Sequence, residues 1–425
     1  MAANLRLWLW ASVAGALAAG ATIVFRFAIQ QVEWIATGST QGLVDAARSL
    51  PAWQRPIVCT VGGLLAGLVL QRGARWAESG PKGNRHIDYI EAARTGRVDL
   101  NDRTNLTRTV SALLSIGTGS SIGREGPMLQ LAAWATSWLA RLVPLAAEQR
   151  NALLACGIAA GIACAYRAPV AGAVFVLELA LGFFARETVV PVLIASGTAS
   201  SLVYVLIDHR PLYAAAPMTM LPSSLAFTLL VGVMFGGLGW AFLQLVERSR
   251  MIFMRVRSMP LRLGLGGLLA GGLSVFVPEV WGNGYSEVSA ALAGTHAWQW
   301  LALILVTKVL ATSWSAGSGA IGGMFTPSIF VGAAAGGLLA QVASIWLPAA
   351  WVGDPRSLVV IGMAAVLTAT TYAPLMAMTI VLEMTNEFQL TVPVLLCCAV
   401  AHATSTWFGV RPLFGNPIEG RRDRG

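Results

Sequence analysis

Apolar residues run in long blocks along most of the chain, and short polar loops separate them. The blocks cover residues 7–25, 57–70, 189–207, 225–246, 301–311, 328–346 and 392–407. Several approach or reach the ~20 residues that a helix needs to cross about 30 Å of hydrocarbon, and others are shortened by glycine or proline. The pattern predicts an all-α polytopic membrane protein whose helices are partly tilted and broken.

Composition and charge agree with this class. Hydrophobic residues make up 56% of the chain and charged residues only 12%, against about 25% charged in an ordinary soluble domain. The formal net charge is +9, but the basic residues lie in short loops, as Arg72, Arg75, Arg248 and Arg250 do. Because cytoplasmic loops of membrane proteins are enriched in lysine and arginine, this charge indicates topology. We expect membrane lipid around the chain and no nucleic-acid partner.

The sequence gives no sign of a cofactor or of a second domain. The five cysteines all fall in apolar segments without metal-ligand spacing, so we expect no metal site. No P-loop is present, and we therefore expect no ATP requirement. Since only a short tail follows the last apolar block, we expect a single transmembrane domain over residues 1–425 and no cytosolic domain.

Three segments of the first half recur in the second half, in the same order. "GGLLAG" occurs at 62–67 and at 266–271, an offset of 204. "RAPVAGAVFVLEL" at 167–179 matches "YAPLMAMTIVLEM" at 372–384, an offset of 205, and "TGSSIGREGP" at 118–127 matches "SGAIGGMFTP" at 318–327, an offset of 200. The nearly constant offset predicts a duplicated chain, with a first repeat at about 1–210 and a second at about 220–415.

Both repeats are interrupted by glycine and proline at corresponding positions, Gly123–Pro127 and Gly322–Pro327. In transporters built from repeats, paired breaks of this kind mark the substrate site at the repeat interface. A helix that begins just after Pro127 or Pro327 leaves backbone N–H groups unpaired and a positive dipole end at membrane depth. Two such ends suit a small anion, because partial charges bind it without holding it too tightly.

These motifs resemble a known family. "GREGP" at Gly123–Pro127, and "GGMFTP" with Gly322, Gly323 and Pro327, are similar to two anion-site motifs of the ClC chloride channels and chloride/proton exchangers. The resemblance covers essentially the whole membrane part and is closest to the short bacterial ClcB-type branch. It implies the ClC fold of two inverted repeats, a homodimer in the bacterial inner membrane, one pore per subunit and chloride as the transported ion.

The resemblance also implies roles for individual residues. Glu125 matches the gating glutamate, whose carboxylate occupies the position of an anion in the pore. An acid inside a membrane is costly and therefore indicates function by default. The resemblance implies that backbone amides of two triplets face chloride: Arg124, Glu125 and Gly126, and Met324, Phe325 and Thr326.

The chain departs from the family pattern at two anion-binding positions. The first family motif is degraded to "ESGPKGNRHIDYIEA" at 78–92. The pore serine is Ser79 if the motif is matched by identity, and Asn84 takes its place if the match is read back from the following helix. Near the end of the chain, Phe414 stands where many relatives have a tyrosine. Because Phe414 cannot donate a hydrogen bond, we expect weaker side-chain coordination of the central anion.

A third departure concerns the mechanism. Exchangers of the family carry a proton-relaying glutamate directly after the position matched by Glu178, and this chain has Leu179 there. We expect Glu178 and its repeat mate Glu383 to satisfy backbone groups or to cap helices. The sequence therefore favours a passive chloride channel gated by Glu125 and sensitive to voltage and pH, and the family suggests an electrical shunt during acid stress. Chloride/proton antiport remains the alternative, since water could replace the relay.

Two further side chains allow other interpretations. Gly119–Gly123 fits G-x-S-x-G, so that Ser121 with His402 would form an intramembrane serine protease dyad; we regard this as a remote alternative and expect no enzyme.

Lys308 stands alone in an apolar block. It either draws anions to the pore or snorkels and pairs with a helix-end carbonyl.

Overall fold

The computed structural model describes residues 2–79, 87–180, 186–207, 211–213, 215, 218, 224–409 and 412–414. All regular secondary structure in these residues is helical. The helices of the first half are α1 Ala2–Thr37, α2 Leu43–Ser49, α3 Gln54–Glu78, α4 Tyr89–Thr95, α5 Asp102–Gly117, α6 Glu125–Leu142, α7 Ala147–Tyr166, α8 Pro169–Phe175, a π-helical turn Val176–Ala180 and α9 Arg186–Leu206. Those of the second half are α10 Ser224–Phe253, α11 Met259–Leu273, α12 Tyr285–Leu292, α13 Trp298–Gly317, α14 Phe325–Trp346, α15 Ala349–Val352, α16 Pro355–Thr371, α17 Pro374–Thr385 and α18 Thr391–Trp407, with short 3-10 turns at Pro278–Val280 and Phe388–Leu390.

Seven helices in the described part of the chain are long and apolar enough to cross a membrane. They are Leu5–Thr37, Gln54–Glu78, Thr188–Leu206, Leu225–Phe253, Trp298–Gly317, Phe325–Trp346 and Phe388–Trp407. Each of them coincides with one of the seven apolar blocks of the sequence. Shorter apolar helices, such as α11 and α17, pack between them. The prediction of an all-α polytopic membrane protein is confirmed.

The packing of α3 against α11 shows that the two halves are inverted. A Cβ atom added to Gly63 would overlap the backbone of Leu263, and one added to Gly267 would overlap the backbone of Cys59. Gly267 is the repeat mate of Gly63, and Cys59 is the repeat mate of Leu263, each at an offset of 204. The same contact therefore occurs twice, with the two halves exchanged. Because the contact moves from 63 to 59 along α3 and from 263 to 267 along α11, the two helices are antiparallel, as a two-fold axis between inverted repeats requires. Glycine at these positions lets the helices approach closely.

The turns that follow α7 and α16 have the same backbone conformation in both repeats. Arg167 and Tyr372, which follow α7 and α16, both have left-handed backbones, with φ of 56° and 60°. The next residues, Ala168 and Ala373, have φ/ψ of −130°/80° and −124°/80°, and a proline then begins the next helix. The repeated units are therefore alike in backbone conformation as well as in sequence. The division at residues 1–210 and 220–415 stays a prediction.

Basic residues gather at one end of the bundle, which we name the basic end. Arg72 and Arg75 lie near the end of α3, and Arg255 follows α10. The two regions are neighbours, because a Cβ atom on Gly67 of α3 would meet Pro260 at the start of α11. The segment 38–53, between α1 and α3, lies at the opposite end.

Candidate functional site

Two irregular segments meet where α5 gives way to α6 and α13 gives way to α14. Gly123 N donates to Gly323 O at 2.8 Å, and Gly323 N donates to Gly123 O at 2.7 Å. These reciprocal bonds join the two repeats at the residues that the offset of 200 pairs. Helices α6 and α14 begin two residues later, at Glu125 and Phe325.

The helix starts correct one detail of the sequence analysis. We expected the helices to begin just after Pro127 and Pro327, but they begin at Glu125 and Phe325, two residues before each proline, which is therefore the third helical residue. Proline is tolerated there because N–H groups of the first turn have no acceptor within the helix in any case, and the proline ring already fixes a helical φ.

Glycine is required in both irregular segments. Gly119 and Gly319 have φ of 97° and 94°, a left-handed backbone that other residues rarely adopt. Around the paired bonds, a Cβ atom on Gly123 would overlap the Glu125 carboxylate, and one on Gly323 would approach Gly126 N to 2.9 Å. Side chains would therefore push the two helix starts apart.

The first amides of α6 and α14 provide hydrogen-bond donors at this junction. In the part of the chain that the structure describes, we find no acceptor for the N–H groups of Gly126, Phe325 and Thr326. Gly126, Met324 and Phe325 line the same cavity. Because a helix start also carries the positive end of the helix dipole, the junction favours a small anion.

A cavity of about 300 Å³ connects the basic end to this junction, and we name it the inner cavity. Asp88 and Arg108 line it near the basic end, and Glu125 and Phe325 line it at the junction. A second cavity of about 300 Å³ approaches from the opposite end. We name it the outer cavity; Glu33, Asp45, Arg124, Asn283 and Tyr285 are among its lining residues. Glu125 and Arg124, which are neighbours at the start of α6, thus line different cavities.

The Glu125 carboxylate lies between the two cavities, and its side chain is only 2% exposed. Oε1 accepts hydrogen bonds from Asn283 Nδ2 at 3.1 Å and from Tyr285 Oη at 2.8 Å. Oε2 has no hydrogen-bond partner in the described structure. A carboxylate in the position of an anion would accept hydrogen bonds from the amides of the helix starts. The Glu125 carboxylate is instead bound by two side chains, because the loop before α12 brings their donors to it.

Lys308 fixes the loop that carries these two donors. Its side chain is fully buried, and Nζ donates to Val280 O at 3.0 Å and to Gly282 O at 2.7 Å. Val280 ends a 3-10 turn, so the structure favours pairing with helix-end carbonyls over a place at the pore entrance. Asn283 and Tyr285 follow directly, and the position of Lys308 therefore determines where the gate donors lie.

Arg124 adds positive charge on the outer side. Its guanidinium lies over the Tyr285 ring, 5.4 Å from the ring centroid, within the range of a cation–π contact. Because Arg124 lines the outer cavity while Glu125 lines the inner one, an anion that enters from the opposite end meets this charge first.

Tyr166 brings a hydroxyl group to the inner cavity, and no motif of the sequence indicated it. Phe414 packs on Phe325 with ring centroids 5.2 Å apart and offers no donor. Tyr166 lines the same cavity, and its hydroxyl lies 3.3 Å from Thr326 Oγ1. Either hydroxyl can donate to the other, which leaves one proton of the pair for an anion. The inner cavity therefore has a hydroxyl at Tyr166 and none at Phe414, and the only sequence signal for Tyr166 was a polar atom in an apolar block.

Of the two candidates for the pore residue of the first motif, Ser79 and Asn84, the structure describes only Ser79. Ser79 ends α3 on the exposed surface, where its hydroxyl donates to Trp76 O at 2.8 Å and accepts from Arg103 Nη1 at 3.2 Å. It does not line the inner cavity, so the structure does not bring Ser79 to the anion path. Asn84 lies outside the described residues.

Glu178 and Glu383 hold the repeats together by exchanging caps. Glu178 accepts from Leu375 N at 3.2 Å and Met376 N at 2.7 Å, in the first turn of α17. Glu383 accepts from Val170 N at 3.0 Å and Ala171 N at 2.7 Å, in the first turn of α8. Each carboxylate thus satisfies two amides that have no acceptor within their own helix.

The structure does not bring the residues of the protease hypothesis together. Ser121 is fully buried, and its hydroxyl lies 3.2 Å from Thr312 Oγ1. The His402 ring packs against Tyr372, with ring centroids 5.5 Å apart. No histidine is hydrogen-bonded to Ser121 in the described part of the chain, so the serine has no general base there.

Comparisons with known proteins cover nearly the whole chain. The sequence profile described as voltage gated chloride channel matches residues 62–406, which include both helix starts. A ClcB-like chloride channel protein of Ralstonia nicotianae is 44% identical over 419 residues, which cover 97% of this chain and 96% of that protein. The voltage-gated ClC-type chloride channel ClcB of Escherichia coli is 38% identical over 409 residues, which cover 94% of this chain and 96% of that protein.

Solved structures share the architecture. A slow cyanobacterial Cl⁻/H⁺ antiporter matches with a TM-score of 0.83 and 22% identity, over 96% of each chain. A CLC-type fluoride/proton antiporter matches with a TM-score of 0.78 and 22% identity, over 95% of this chain and 96% of that one. At this identity the likeness concerns the fold alone, and it confirms the predicted fold class.

The reciprocal caps predict that Glu178→Gln and Glu383→Gln lower stability by similar amounts. In each variant an amide NH₂ replaces an oxygen that accepts a backbone N–H, so one buried donor loses its acceptor at a cost of about 1–3 kcal/mol. Thermal unfolding of the detergent-solubilised protein measures the loss. The exposed Glu91→Gln is the control and should leave the unfolding midpoint unchanged. Stability equal to wild type in both buried variants would contradict the capping role.

Proposed function

The chain belongs to the ClC family of voltage gated chloride channels, and from that premise we propose that it conducts chloride passively with Glu125 as the gate. One observation carries the proposal: the Glu125 carboxylate lies at the junction of two helix starts, between cavities that approach from opposite ends. A carboxylate in that place interrupts an otherwise anion-favouring path, and its movement would join the two cavities.

Chloride binding near the junction would depend on partial charges. The inner cavity supplies amides at Gly126 and Phe325 and a hydroxyl at Tyr166, and Arg108 lines its entrance. Dipolar donors bind an anion weakly enough for it to leave, which conduction requires. The Arg108 guanidinium lies at the entrance of the inner cavity, away from the junction, where it concentrates anions without trapping them.

Protonation of Glu125 supplies a mechanism for opening. Tyr285 and Asn283 donate to the charged carboxylate, and hydrogen bonds to an ionised acceptor are about twice as strong as those to a neutral one. When Glu125 takes up a proton these two bonds weaken, and chloride can displace the side chain. We therefore propose that the flux rises as the pH falls.

Passive conduction is supported by the surroundings of Glu178. Its carboxylate is occupied by two amides of α17, and Leu179 follows it. The alternative is chloride/proton antiport, which needs a titratable group on the inner side. Asp88 favours this alternative, because it is a carboxylate that lines the inner cavity together with Glu125.

We further propose the setting in which the chain works. It would lie in the bacterial inner membrane with the basic end in the cytoplasm, and it would form a homodimer with one pore per subunit. The apolar spans and the loop charge support the membrane topology. The absence of ATP, metal or nucleic-acid partners stays a prediction.

Replacing the gate carboxylate tests the proposal directly. Glu125→Gln keeps the size of the side chain but cannot gain or lose a proton, so chloride flux from reconstituted liposomes should lose most of its pH dependence. The wild type should show faster flux at lower pH, and the exposed Glu91→Gln should behave like the wild type. Identical pH profiles for the wild type and Glu125→Gln would overturn the gate assignment.

The reversal potential under a pH gradient separates a channel from an antiporter. With unequal chloride and unequal pH across a bilayer, passive conduction predicts reversal at the chloride equilibrium potential, whatever the pH difference. A reversal potential that moves with the pH gradient would contradict the passive mode and support antiport. In that event, Asp88→Asn should return it to the chloride value if Asp88 relays the proton.

A further inference from the structure

A groove of about 580 Å³ lies between α3 and α5, and we name it the α3–α5 groove. Its walls are apolar side chains, among them Leu65 and Leu68 of α3 and Leu114 of α5. Helix α3 is long and apolar enough to cross a membrane, and the Leu65 side chain is 46% exposed on it. The groove is therefore open to the hydrocarbon of the bilayer. It shares no lining residue with the inner or the outer cavity.

The floor of the groove forms where α3 and α5 touch. A Cβ atom on Gly73 of α3 would overlap the side chain of Thr107 of α5, so this close contact requires glycine. Thr107 is buried, and its hydroxyl donates to Arg103 O at 2.7 Å. Because that proton is already used within α5, the floor offers no hydroxyl donor to an occupant. The groove therefore suits an apolar chain.

The groove has the length of one leaflet of the bilayer. Its lining residues on α3 extend from Leu65 to Trp76, which is about 16 Å at 1.5 Å per residue. This length is about half of the ~30 Å of hydrocarbon in a bilayer. Trp76 lies near the end of α3 at the basic end, and tryptophan is enriched where helices meet the headgroups. The groove thus extends from that interface towards the middle of the membrane, as an acyl chain does.

Two arginines place positive charge at the interfacial end of the groove. Arg72 lines the groove and is exposed, and the described part of the chain gives it no hydrogen-bond or ion-pair partner. The Arg103 guanidinium lies over the Trp76 ring, 5.3 Å from its centroid, and donates to Trp76 O at 2.9 Å. Asp102 precedes Arg103, but its carboxylate accepts from Arg141 Nη2 at 3.2 Å. The acid beside this end is therefore already paired on α6.

We propose that the α3–α5 groove binds an anionic phospholipid of the leaflet at the basic end, with one acyl chain in the groove and the phosphate beside Arg72. The guanidinium of arginine matches the oxygens of a phosphate with two parallel hydrogen bonds. Because the groove lies outside the anion path, the inference goes beyond the proposed function and does not depend on chloride conduction.

The charges at the interfacial end select the headgroup. Among the described residues that line the groove, Arg72 is the one ionisable side chain, and Glu78 at the end of α3 does not line it. A zwitterionic headgroup would bring its ammonium group close to Arg72 and Arg103 without a carboxylate to receive it. A headgroup of negative net charge has no such cost, so we expect phosphatidylglycerol to bind more tightly than phosphatidylethanolamine.

Native mass spectrometry of the detergent-solubilised protein tests the headgroup contact, with dioleoylphosphatidylglycerol and dioleoylphosphatidylethanolamine as the probes. Arg72→Gln should weaken binding of the first phosphatidylglycerol molecule about fivefold, because a basic residue near the membrane surface contributes about 1 kcal/mol to binding of anionic lipid. Binding of phosphatidylethanolamine should stay unchanged. Arg248→Gln is the matched control, since Arg248 is an exposed arginine of α10 outside the groove, and it should shift neither affinity.

Leu65→Trp tests the acyl-chain contact in the same measurement. The larger side chain fills part of the groove without changing a charge, so the affinity for phosphatidylglycerol should fall although Arg72 is present. Leu230→Trp, at an exposed position of α10, is the control and should bind phosphatidylglycerol like the wild type.

Several results would overturn the inference. Equal affinities of the wild type for the two lipids would contradict an anionic site, and equal weakening by Arg72→Gln and Arg248→Gln would indicate a general attraction to the basic end. Unchanged phosphatidylglycerol binding in Leu65→Trp would contradict an acyl chain in the groove. A changed oligomeric state of Leu65→Trp with unchanged lipid binding would show that a second copy of the chain covers the groove instead.

Discussion

The pair of backbone hydrogen bonds between Gly123 and Gly323 is the interaction on which the rest of the structure depends. It joins two helices that begin in the middle of the protein and aligns their first amides at one junction. Unpaired backbone donors at membrane depth cost several kcal/mol each, so such an arrangement persists only inside protein or beside a polar cavity. The surrounding glycines, the cavities and the gate all follow from this requirement.

The backbones of the two repeats are nearly symmetric, whereas the side chains at the junction differ between the repeats. Backbone angles and caps are repeated almost without change between the halves, yet the side chains at the junction differ. Glu125 of the first repeat is matched by Phe325 of the second. The first helix start therefore carries a carboxylate, while the second carries an aromatic ring that packs against Phe175 and Phe414. A symmetric backbone can therefore provide the amides that hold an anion, while the different side chains determine which groups the anion meets from each end.

Much of the fold could be predicted because its signals are local. Apolar blocks of membrane length, a repeat with a constant offset and two glycine–proline breaks are each visible in a short window of sequence. The helix starts were placed just after the prolines, whereas they lie two residues before them, because proline is tolerated within the first turn. Glu178 and Glu383 were expected to satisfy backbone groups, but their partners in the opposite repeat depend on how the halves dock.

The environment of the gate could not be predicted from the sequence. Asn283 and Tyr285 lie 158 and 160 residues from Glu125 and reach it only because Lys308 holds their loop. A glycine-flanked asparagine and tyrosine in an apolar chain were the available signal. Resemblance to a family also directed attention to position 414, whereas the hydroxyl in the inner cavity comes from Tyr166.

Anomalous diffraction from crystals grown in bromide tests most directly whether the two helix starts bind a halide in competition with Glu125. In Glu125→Gln, our interpretation predicts a bromide peak within hydrogen-bonding distance of the backbone nitrogen of Gly126 or Phe325, with higher occupancy than in the wild type. Bromide peaks confined to the protein surface, or equal occupancy at the junction in both proteins, would contradict it.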